Sequence, residues 1–62
     1  MSDREIINAI RRTLDRQPNK VLMEMYNVYY RKAQQDTPEQ AEWLALVDDI
    51  RRCITDKGGR IP

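Results

Sequence analysis

The stretch "QQDTPEQ", Gln34–Gln40, decides how this chain folds, because one apolar helical pattern stops there and another starts. Thr37 is the expected N-cap. Pro38 suits the first helical position, where its missing N–H would have no helical partner anyway, and Gln40 stands three residues after the cap to close a capping box. Downstream, Trp43, Leu46, Val47, Ile50, Cys53 and Ile54 recur at three- and four-residue spacing, which draws one stripe along a helix. Upstream, apolar residues crowd the segment "VLMEMYNVYY", Val21–Tyr30. A connection of about two residues between these helices forces them to lie antiparallel. The expected fold is therefore all-α, built on an antiparallel helical hairpin.

The rest of the chain adds one helix. Ser2 and Glu5 in "SDRE" form a second capping box, and Ile6, Ile7, Ile10 and Leu14 follow on one side at helical spacing. Pro18 disfavours helical geometry at Gln17, so the first helix ends there, with Asn19 expected to cap the next. Gly58-Gly59 reads as the final stop. The predicted helices span 3–16, 19–35 and 38–57 of a single domain, 1–62. The first helix is packed across the hairpin, and the tail 58–62 is expected to be mobile.

Composition narrows the function classes. A chain of 62 residues has a small core, and the usual supports are a disulfide, a metal or oligomerisation. Cys53 is the single cysteine and His is absent, so no internal disulfide forms, and neither metal nor other cofactor is expected. Oligomerisation, with a homodimer expected, or docking on a larger partner is the remaining route. Eleven basic residues against ten acidic give little drive toward nucleic acid, and there is no apolar run of membrane-spanning length. No signal-peptide pattern opens the chain, and the lone thiol suits a reducing compartment, so a cytoplasmic protein is expected.

The second helix raises the functional question. At helical periodicity Lys20, Glu24, Asn27, Arg31 and Gln34 form one narrow polar stripe, and nearly everything else is apolar, an arc of roughly 220°. Leu22, Met25 and Tyr29 occupy its middle, Val21 and Val28 one edge, and Met23, Tyr26 and Tyr30 the other. One reading has the second helix in the middle of an ordinary bundle, covered by the first helix on one side and the third on the other. The other reading leaves the Met23–Tyr26–Tyr30 edge for a second copy or another protein. Met adapts to irregular surfaces, and Tyr joins a large apolar body to a polar tip. Leu44, off the stripe of the third helix, and Trp43, a core residue or an interface anchor, complete the expected protein-binding set.

Catalytic chemistry finds no footing. Cys53 has no His to ionise it, and Asp48 and Asp49 diverge by about 100° on a helix, so they do not share a ligand easily. Arg11-Arg12 and Arg51-Arg52 are the best case for phosphate contact, with acidic residues close by in sequence. A non-enzymatic protein-binding regulator, an inhibitor or adaptor, is the expected function. A small helix-turn-helix-like DNA-binding protein is the alternative, although the third helix is too acidic for good groove recognition.

The segments "QQDTPEQAEWLALVDDIRRC" (34–53) and "MEMYNVYY" (23–30) resemble those of small helical-hairpin regulators encoded by phages and plasmids. Among these are phage quorum-sensing anti-activators that bind LuxR-type transcription factors. The resemblance implies steric action, with a helix face covering a surface that a host protein, such as a transcription regulator, needs for dimerisation or DNA binding.

Overall fold

The computed structural model describes residues 2–59 and is all-helical across them. Helix α1 (Asp3–Thr13) runs into a single 3-10 turn, Leu14–Arg16, and is followed by α2 (Asn19–Ala33) and α3 (Gln40–Asp56). Helix α1 opens with the Ser2 half of the expected capping box, the Ser2 hydroxyl accepting from the Glu5 backbone N–H at 3.3 Å. Asp3 and Glu5 in its first turn and Arg11 and Arg12 in its last suit the helix dipole. The helix stops at Thr13 rather than 16. The last turn tightens because Gln17, the residue before Pro18, is extended (φ −87°, ψ 139°) and cannot continue it.

Both other starts differ from the sequence reading. Pro18, not Asn19, holds the cap position of α2, and the Asn19 side chain instead donates to the Lys57 carbonyl at 3.4 Å. Helix α2 stops at Ala33, and α3 begins at Gln40 after Glu39, not at Pro38 after Thr37. The Gln40 amide is drawn away from the capping box to the Ala33 carbonyl, at 3.1 Å, one of the acceptors that the end of α2 leaves without a helical partner. The Thr37 hydroxyl is left buried without a partner. The connection from Ala33 to Gln40 therefore holds six residues, 34–39, rather than two.

At the far end of α3 the glycine stop holds. Gly58 takes φ +79°, a conformation that costs other residues a Cβ clash. Its N–H donates to Thr55 and that of Gly59 to Ile54, the paired bonds of a Schellman motif. A Cβ on Gly59 would stand 2.8 Å from Ile54 Cγ2, so this position too is closed to larger residues. Lys57 Nζ donates to the carbonyls of Asp15 and Gln17, tying the end of α3 to the turn before α2. Gly58 and Gly59 are thus held in place, and the remainder of the expected mobile tail, 60–62, lies outside the described residues.

The core is one cluster drawn from every element: Ile7, Leu14, Leu22, Ala33, Trp43, Leu46, Val47, Ile50 and Ile54. Five of these nine lie on α3, which packs against both α1 and α2. The middle element is therefore α3, not α2. Two ion pairs join α1 to it, Arg4 to Glu42 at 2.8 Å and Arg11 to Asp49 at 2.9 Å. The partners advance by the same seven residues on both helices, so α1 follows α3 lengthwise instead of lying across the α2–α3 pair. Among the described residues no helix is long and apolar enough to cross a membrane.

Candidate protein-binding surface

Helix α2 packs closely on α3 and fully buries only Leu22 and Ala33. Its buried side is centred between those two, with Tyr26 and Tyr29 flanking, and Met25 sits nearer the edge than the periodicity alone placed it. The two ends of α2 meet opposite ends of α3: Ala33 bonds Gln40, and Asn19 bonds Lys57.

The flanks of α2 differ in what they meet. Tyr29 stacks on Trp43 with ring centroids 5.6 Å apart, and Lys32 Nζ lies 5.8 Å above the same indole. Trp43 Nε1 donates to Asp3 Oδ2 of α1 at 3.1 Å, so this flank faces α1. Trp43 is 3% exposed and belongs to the core. Its polar N–H finds a carboxylate, as a buried indole requires.

Tyr30 is roughly 160° round α2 from Lys32, on the flank away from α1. There Tyr26 and Tyr30 stack on each other at 5.7 Å. Tyr26 and Met23 are half-buried against the core, while Tyr30 is 47% exposed. On α3, Leu44 is 46% exposed, roughly 140–160° round the helix from the residues that α1 pairs with, Glu42 and Asp49. Four of the five expected contact residues, Met23, Tyr26, Tyr30 and Leu44, therefore lie on the side of the molecule turned away from α1. They form an apolar seam along the α2–α3 pair. Val28, at 62% the most exposed large hydrophobic among the described residues, stands apart on the other flank, a single apolar residue of the kind any surface carries.

Several charged residues of α1 and α3 pair with one another. Asp48 takes Arg51 at 2.7 Å and Arg52 at 3.0 Å, and Asp49 takes Arg11. The hydrogen bond to Glu42, followed by its charge, raises the Arg4 pKa. Burial, then the nearby Asp15 carboxylate, raises the Cys53 thiol pKa and keeps the sulfur protonated and poorly nucleophilic at neutral pH. Among the described residues no group of three or more His, Cys, Asp or Glu side chains is placed to hold a metal.

No protein-family model matches the chain, and no curated protein or solved structure matches it either.

Proposed function

We propose that this chain is an antiparallel α2–α3 hairpin, braced by α1, that works in the cytoplasm as a non-enzymatic protein-binding regulator. It is an inhibitor or adaptor that lays the seam Met23–Tyr26–Tyr30–Leu44 on a surface of a host protein such as a transcription regulator. The observation that carries this reading is the seam itself, an apolar run that is half-buried at Met23 and Tyr26 and exposed at Tyr30 and Leu44, on the flank that α1 leaves open. Tyr is enriched among the residues that carry binding energy, and Met among those at interface cores. The Tyr26–Tyr30 stack holds both rings before a partner arrives, which lowers the ordering cost of binding.

The pairing of Arg11, Arg51 and Arg52 with Asp48 and Asp49 favours a protein partner over DNA, since these arginines are already engaged by carboxylates. The test is capture of a host partner by the wild-type chain, compared with the Tyr26→Ser/Tyr30→Ser variant. The variant is expected to keep the helical circular dichroism of the wild type and lose the partner, because loss of interface anchors costs about 2 kcal/mol or more of binding energy. Unfolding of that variant would make the tyrosines core and remove the surface. Sequence-selective nanomolar binding to duplex DNA at moderate salt would reverse the order of the two functions.

A further inference from the structure

We draw no further inference here: the strongest candidate, the apolar flank of the α2–α3 pair at Met23, Tyr26, Tyr30 and Leu44, carries nothing beyond the reading above because nothing in the structure shows what covers it.

Discussion

Helices α2 and α3 make opposite use of similar material. Helix α2 has the wider apolar arc, yet of its 15 residues only Leu22 and Ala33 are buried. Helix α3 has a narrower stripe, and Trp43, Leu46, Val47, Ile50 and Ile54 are all buried. The difference lies in the neighbours. Helix α3 has α1 along one side and α2 along the other, whereas the principal neighbour of α2 is α3. An apolar residue is buried by what packs on it, and a second neighbour turns a stripe into a core. A wide arc with one neighbour leaves an edge, and on α2 that edge is the tyrosine seam.

The largest test of this contrast removes one residue from each centre. Ile50 and Leu22 are both fully buried, and each truncation to Ala should cost about 2–5 kcal/mol through the cavity left behind. Ile50→Ala should fall at the upper end, because α3 carries the packing for both other helices. Denaturant unfolding measures both. An Ile50→Ala variant clearly milder than Leu22→Ala would return α2 to the middle of the fold.

A smaller effect is expected at the end of α3. Gly58→Ala places a Cβ on a residue at φ +79°, which should cost about 1–2 kcal/mol even though nothing crowds that position. Thermal melts read this directly, and an unchanged midpoint would mean that the Schellman turn does not hold α3 against the rest.

The two edges of α2 give the smallest effects on folding and the sharpest comparison. Val28→Thr on the lone exposed flank should stay within about 0.5 kcal/mol of wild type and leave capture of the proposed host partner untouched. Tyr30→Ser on the seam should also leave the fold nearly intact but weaken that capture. Equal behaviour of the two variants in partner capture would erase the distinction between a single exposed residue and a contact surface.

Cys53 offers a reading of the half-buried edge of α3 by pH. Because partial burial and then the nearby Asp15 carboxylate raise its pKa, the midpoint of its reaction with a thiolate-specific reagent should lie above the ordinary thiol value of 9.0. A midpoint at or below that value would show that the thiol is more open to water than the fold places it.

Much of this molecule follows from short-range chemistry and could be read from residues a few positions apart. Ser2 caps α1, Pro18 breaks the chain, Gly58 reverses it, and the three- and four-residue recurrences between make each segment helical. Membership of the core was legible too, since Ile7, Leu14, Leu22, Leu46, Ile50 and Ile54 all lie on the stripes that the periodicity draws. What periodicity does not contain is which stripe meets which. Gln40 could serve its own helix or the end of α2, and proximity to the Ala33 carbonyl decided it. Met25 and Tyr26 lie on either side of the same arc, and only the angle at which α3 docks sets where burial is centred. The central place of α3 likewise rests on core packing between segments far apart in the chain, with the exposed pairs Arg4–Glu42 and Arg11–Asp49, each 38 positions apart, marking the register. Local backbone preference determines where helices begin and end, but the choice among possible neighbours is made by packing and long-range pairing, which exist only once the helices are together.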